Sequence, residues 1–280
     1  MLNSDAVLIM GSNMAENHPV AFQWIMEAKE KGTTIIHVDP RFNRTSAVAN
    51  MWLPLRAGSD IIFLGALIRH VLENELFFRE YLLHFTNAPV IIQDDFGDTE
   101  DLGGVFSGWN NEKKSYDPAS WMYEGASRDD QKSHSSGDGG SEGGHAHQGT
   151  TVMPDLSKYK KDETLQHPRC VFQLLKSHFA RYTPEMVEQY CGISKDAFLR
   201  VADKYCAASG PEKTGGICYA VGWTQHSSGV QIIRCAAILQ LLLGNMGRPG
   251  GGILAAADAA GRAGGAGRRR RGARLRHLLL

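Results

Sequence analysis

Carboxylates, amides and cations recur in this 280-residue chain just after short apolar runs. Ala6–Met10 empties into Gly11-Ser12-Asn13 with Glu16 and His18 close behind, and Thr34–Val38 into Asp39, Arg41, Arg44 and Thr45. A third run, Ile217–Val221, gives way to Gly222-Trp223-Thr224-Gln225-His226, and Gly58-Ser59-Asp60 opens an apolar stretch. Backbone amides at a helix start, with Ser12 and Asn13 as side-chain donors, suit a phosphate. Glu16 would repel one and instead suits a sugar hydroxyl or a base amino group. Asp39 sets a carboxylate beside the cations Arg41 and Arg44, and Asp60 adds an acceptor suited to a donor edge such as that of guanine. Together these loops predict a nucleotide-bearing ligand.

Each feature also has a plainer reading. Loop one alone is an ordinary turn with a polar cap, and Asp60 alone is a charge at a helix start; taken singly, those readings are the stronger ones. Asp39 with its arginines could be a surface ion pair worth little. Trp223, Thr224, Gln225 and His226 are harder to explain away, because bulky polar groups between a buried strand and a buried helix need something to contact. Neither GxGxxG nor GxxxxGK[ST] occurs, which argues against the common dinucleotide and nucleoside triphosphate loops. His134, His145 and His147 could bind a metal, but a solvated linker explains them more simply.

The elements that must hold these loops follow from periodicity. Apolar residues at helical spacing predict a helix from Pro19 to Lys31 ended by Gly32, so the first two strands and this helix make a βαβ unit. Met51–Leu55 predicts a short strand, Ile61–Leu72 a helix capped by Ser59, Leu76–His84 a second helix and Ala88–Ile92 another strand. Order resumes with one apolar helical face through Val171, Leu174, Leu175 and Phe179. Thr183-Pro184 starts a helix that Gly192 stops, Ser194 caps the next, and Val230–Leu243 is strongly apolar. The expected class is α/β: an incomplete Rossmann-like parallel sheet with helices on both faces. The loops would then meet at the carboxyl ends of its strands.

Residues 1–92 and 169–253 are expected to be two parts of one domain, with 93–168 an insertion. Its centre, near 126–151, is too rich in Gly, Ser and His to bury enough surface to order itself. Residues 254–280 turn abruptly to Ala, Gly and Arg, and such a run is expected of GC-rich DNA read in a shifted frame rather than of native coding. The start, with a core-like strand from Ala6, predicts that sequence precedes Met1.

Formal charge is zero, but setting aside the tail's seven arginines and Asp258 leaves 23 basic against 29 acidic side chains, a body of −6. That balance disfavours nucleic acid as a partner. Five cysteines show no CxxC spacing, so they encode no zinc ribbon or local iron–sulfur ligand set and should be small buried residues. No apolar run reaches membrane-spanning length.

In order along the chain, Gly11-Ser12-Asn13 with Glu16 and His18-Pro19, Val38-Asp39-Pro40-Arg41 with Arg44-Thr45, Gly58-Ser59-Asp60, Gly222 to His226, and Leu243-Gly244-Asn245-Met246-Gly247 resemble the molybdopterin oxidoreductases. Within that family, Leu165 to Cys170 and Gly222 to His226 are similar to the large subunit of respiratory formate dehydrogenases. The resemblance implies a bis-(molybdopterin guanine dinucleotide) cofactor holding molybdenum or tungsten. Gly11, Asn13, Glu16, Asp39, Arg41, Gly58 and Asp60 would match contacts to one guanine dinucleotide, and Gly222 and Gln225 further contacts to the cofactor. Ser12, His18, Thr45, Trp223 and His226 lie in the same motifs and are grouped with them as candidate cofactor residues. It also implies oxidation of formate to carbon dioxide, a 4Fe-4S cluster in the full-length subunit, an iron–sulfur partner subunit, a membrane cytochrome subunit and a periplasmic location. The family's metal-binding and substrate residues have no counterpart here, so no catalytic or metal residue is assigned. A molybdopterin oxidoreductase acting on nitrate or a sulfur compound, or a non-catalytic α/β scaffold subunit, stays open as an alternative.

Overall fold

Ala6–Met10 is buried along its whole length, as a strand covered on both faces requires, and it is the centre of the sheet. A computed structural model of the chain describes residues 1–99, 101–125 and 156–256. The insertion's centre near 126–151, the three histidines in it and the arginine-rich stretch beyond residue 256 lie outside the described residues.

β1 (Ala6–Met10) pairs in parallel with β2 (Thr34–Val38), and β2 with β3 (Met51–Leu53). A two-residue pair, β4 (Trp109–Asn110) and β5 (Ser115–Tyr116), belongs to the second unit. On the other side of β1 lie β6 (Gly215–Tyr219) and β7 (Gly252–Ala255), giving a five-stranded parallel sheet in the order β3-β2-β1-β6-β7. Val7, Ile9 and Ile35 turn to one face and pack with Phe22 and Ile25 of the helix Pro19–Glu30. The alternate residues Leu8, Met10 and Ile36 are equally buried. Helix Lys195–Cys206 packs against β1, and helix Gly229–Leu242 against β6 and β7. The sheet is flanked by helices, as expected of the α/β class.

The described residues fall into two compact units, one of residues 1–86 with 175–256 and one within residues 87–174. In the second, Ala88–Ile92 forms isolated antiparallel bridges from Val90 to Lys161, Ile91 to Cys170 and Ile92 to Tyr123 rather than a strand of the sheet. The run expected as a strand is buried, but burial alone does not supply a strand partner. The first unit contains the loops singled out as candidate cofactor contacts, whereas Leu165 to Cys170 belongs to the second.

Several boundaries differ from the expected ones for local reasons. The third apolar run starts pairing at Gly215 and ends at Tyr219, because the side-chain-free Gly215-Gly216 pair carries no apolar signal but aligns with Ala6 and Val7. Val221–Thr224 is instead a single helical turn. Ser59 does not cap; its hydroxyl donates to the Arg56 carbonyl (2.6 Å). Thr183 and Ser194 do cap, accepting from the amides of Met186 and Ala197. Order continues through β7, so Leu254 and Ala255 pair with Cys218 and Tyr219. All five cysteines are free and buried, and burial pushes Cys206 and Cys218 up to about 12. They behave as small apolar residues.

The Leu243–Gly247 motif closes the open half of the sheet. Gln240, fully buried, donates to the carbonyls of Gly215 in β6 (2.9 Å) and Gly252 in β7 (2.7 Å). Its own carbonyl oxygen accepts from Tyr205 Oη (3.0 Å) and Asn245 Nδ2 (2.8 Å), while Asn245 Oδ1 accepts the Gly215 amide (3.1 Å). Replacing Gln240 by leucine removes an acceptor from Tyr205 and Asn245 and a donor from the carbonyls of Gly215 and Gly252. A loss of about 3 kcal/mol is expected, read as a lower urea midpoint at unchanged slope. An unchanged midpoint would mean that the network contributes nothing.

Candidate functional site

From β1 the strand order runs one way through β2 and β3 and the other way through β6 and β7, so the carboxyl ends of β1 and β6 flank the point where the direction reverses. Ligands of open α/β sheets bind outside such a point. Gly11 leaves β1 in the left-handed region (φ +61°) and turns the chain into the one-turn helix Met14–Asn17. A Cβ at Gly222 would lie 2.5 Å from the Gly11 carbonyl oxygen, and one at Gly11 would lie 2.8 Å from Trp223 Cδ1. The two loops therefore touch backbone to backbone, and the Gly222 amide donates to Gly11 O (3.1 Å).

A cavity of about 240 Å³ opens at this contact. Gly11, Ser12 and Asn13 line it from loop one, Val38, Asp39 and Pro40 from loop two, Ala57 and Asp60 from the third segment, and Gly222 and His226 from the last. A second cavity of about 400 Å³ shares Asn13 and Asp39 and adds Glu16, Asn17, Arg41 and Asn43. Residues from all four separated segments thus converge on one region of the first unit.

Its polar groups are held from below. Thr45, fully buried, accepts the Ala15 amide and donates to Asn13 Oδ1 (2.9 Å), while Asn13 Nδ2 donates to Glu16. Asn43 caps the helix Arg44–Val48 by accepting from the amides of Thr45 and Ser46, which fixes Thr45 in turn. Asp39 Oδ1 accepts the Arg41 amide (2.9 Å). Asp60 is buried, and its Oδ1 accepts from the Trp223 indole N–H (3.1 Å). Burial pushes the Asp60 carboxyl up, and its backbone amide, His226 and Trp223 pull it back. Ser12 is buried at the cavity wall, and its hydroxyl has no hydrogen-bond partner among the described residues.

Not every candidate faces the cavities. Trp223 is fully buried and stacks on Tyr219 with ring centroids 5.0 Å apart, so it braces Asp60 from behind. Thr45 likewise acts from beneath Asn13. His18, Gly58 and Gln225 line neither cavity; Gln225 is exposed at the end of the turn Val221–Thr224. Arg44 pairs with Glu16 at 3.5 Å on an exposed surface. The helix directly after loop one is a single turn, so the dipole argument for phosphate is weaker than the sequence suggests. Asn43 was missed as a wall residue, although an Asn three positions before Ser46 is a capping signature.

The set offers carboxylate acceptors (Asp39, Asp60, Glu16) opposite donors (Ser12, Asn13, Arg41), with no nucleophile and base paired for bond-making. That chemistry is binding. Among the described residues, no group of three or more His, Cys, Asp or Glu could hold a metal ion.

The chain is 46% identical over 251 residues to the formate dehydrogenase subunit alpha of Megalodesulfovibrio gigas, covering 90% of this chain and 22% of that protein. It is 47% identical over 252 residues to the formate dehydrogenase-O major subunit of Escherichia coli, again 90% of this chain and 22% of the relative. The chain thus spans about a fifth of the length of these relatives. Among solved structures, the acetylene hydratase of Pelobacter acetylenicus shares the fold with a TM-score of 0.53 at 16% identity, over 86% of this chain and 22% of that one. The molybdopterin oxidoreductase family matches residues 1–272. On that match, the chain belongs to the molybdopterin oxidoreductase family.

Proposed function

We propose that this chain is part of the cofactor-binding core of a formate dehydrogenase catalytic subunit, and that its cavities receive a guanosine diphosphate end of a bis-(molybdopterin guanine dinucleotide) cofactor. The observation that carries this reading is the convergence of Asn13, Asp39, Asp60 and Gly222 on one cavity at the reversal point of the sheet. The likeness to formate dehydrogenase subunits over 90% of the chain supports the substrate assignment.

The residues present fit such a group. Ser12 keeps an unpaired buried hydroxyl at the wall, which a phosphate or ribose oxygen would satisfy. The absence of a side chain at Gly11 and Gly222 brings two loop backbones together where a ligand can lie close to them. Asp60, with one oxygen taken by Trp223, keeps the other for the N1–H and amino group of guanine. Arg41 stands at the wall of the second cavity, where it can meet a phosphate, and Glu16 and Asp39 can accept from ribose hydroxyls.

When bound, the cofactor would supply a molybdenum or tungsten centre able to accept the two electrons that formate gives up, with one proton released, on becoming carbon dioxide. The residues described here bind and orient its nucleotide end and touch no reacting atom. The whole enzyme would carry a 4Fe-4S cluster, pass electrons to an iron–sulfur subunit and a membrane cytochrome subunit, and work in the periplasm.

Calorimetric titration of the chain with GDP tests the cavity. Saturable binding is expected, with GMP weaker because it lacks the second phosphate. Equal, unsaturable heats for GDP and buffer would overturn the assignment.

A further inference from the structure

β2 carries one polar side chain into the sheet. His37 is fully buried between Ile36 and Val38 in the strand, and its ring neighbours Ser12 and Asp39, two residues that line the first cavity. Its Nδ1 is 2.9 Å from Ser46 Oγ. Its Nε2 is 3.9 Å from Asp39 Oδ2 and interacts with the Ser12 backbone, which raises its pKa, but it has no partner at full hydrogen-bond geometry among the described residues. A buried ring nitrogen without a partner is costly unless some state of the molecule supplies one.

The surrounding bonds assign the ring's hydrogen. Ser46 Oγ accepts the Asn43 amide (3.0 Å), and His37 Nδ1 is the acceptor in reach of its own hydrogen, which assigns Nδ1 as the bare nitrogen. The alternative tautomer would leave the Ser46 hydrogen without an acceptor and turn a lone pair toward the Asp39 carboxylate. Nε2 therefore bears the hydrogen. Burial holds the His37 pKa down, which keeps the ring neutral.

We propose that His37 is a positioning residue for Asp39: when the cavity is filled, the buried Nε2–H takes Asp39 Oδ2 as its acceptor and fixes the carboxylate that faces the ligand. The Arg41 amide already holds Oδ1, so the two donors determine the carboxylate plane. The relay runs from Asn43 through Ser46 and His37 to Asp39, and it ties the cap of the helix Arg44–Val48 to the ligand-facing acid. This role rests on the reading of the cavity as a guanosine diphosphate site.

The test is GDP titration of the chain carrying His37→Leu, His37→Gln, Asp39→Asn, and His37→Leu combined with Asp39→Asn. His37→Leu should weaken GDP by about tenfold, the loss of one hydrogen bond to a charged group. Glutamine, which restores a donor at the same reach, should recover binding to within about threefold, and His37→Leu should add no loss once Asp39 is asparagine. If Asp39→Asn weakens GDP while His37→Leu does not, or if the two losses simply add, the positioning role is overturned and the cavity reading stands. If the unaltered chain does not bind GDP, both fall. Should the leucine variant not fold, ring ¹⁵N shifts of the unaltered chain decide: a bare Nδ1 supports the relay, and a protonated Nδ1 overturns it.

Discussion

Alanine at Gly222 is expected to loosen the fold and abolish nucleotide binding together. The new Cβ would stand 2.5 Å from Gly11 O, 2.7 Å from its Cα and 2.8 Å from its carbonyl carbon, all backbone atoms that cannot swing aside as a side chain can. Relief requires loops one and three to separate, which breaks the Gly222 amide to Gly11 carbonyl bond and spreads the cavity they line. Overpacking of this kind costs about 2–4 kcal/mol, enough to lower the melting temperature by several degrees in a domain of this size. GDP affinity should fall at least tenfold. Gly32→Ala is the contrasting control: Gly32 has φ +100° but open space around it, so alanine costs about 1 kcal/mol of backbone strain and leaves GDP affinity as it is. Equal melting curves for the Gly222 variant and the unaltered chain would mean that the loops do not touch.

Asparagine at Asp60 should separate stability from binding. The carboxylate is buried, so its charge is held at a cost, and burial is what pushes its pKa up. An asparagine oxygen can still accept the Trp223 indole, now with no charge to desolvate, so the melting temperature should hold or rise by a few degrees. Binding should move the other way. The amide turns a donor toward the guanine edge, and the loss of a charged acceptor there corresponds to about 10- to 100-fold in GDP affinity, with ADP unaffected. The sign of the pH dependence follows from the raised pKa: the carboxylate loses its charge at a higher pH than an exposed one. GDP binding to the unaltered chain should therefore weaken as pH falls toward the acid range, and binding to the asparagine variant should not. A variant that loses stability and keeps GDP affinity would make Asp60 a structural acid.

Part of this site is visible in residue order alone. Asn13, Asp39 and Asp60 stand directly after apolar runs or glycine turns, where a parallel sheet must place its ligand-facing ends, and all three line the cavity. Gln225 and Trp223 carry the same local signal but not the same fate. The strand before them ends at Tyr219 rather than Val221, and the extra helical turn sends Gln225 to solvent and Trp223 into the core. Two residues of register at a Gly-Gly strand start are enough to do this, and glycine leaves no trace in hydropathy. Ser12 and Glu16 differ too: both follow β1 closely, yet Ser12 is left buried without a partner among the described residues while Glu16, on the turn Met14–Asn17, accepts from Asn13.

Periodicity and composition by themselves determined the α/β class, the βαβ start, the order of the loops and the polar character of their side chains, because each depends on residues close together in sequence. Which loops meet was decided by tertiary structure. Gly11 and Gly222 lie more than two hundred residues apart, and their contact exists because β1 takes β6 as its neighbour on the side away from β2. The same pairing puts Trp223 behind Asp60, just as the pairing of β1 with β2 sets His37 beneath Ser12 and beside Asp39. Such long-range partners are selected by the joint packing of the sheet and its helices, and no local stretch of the chain carries that information.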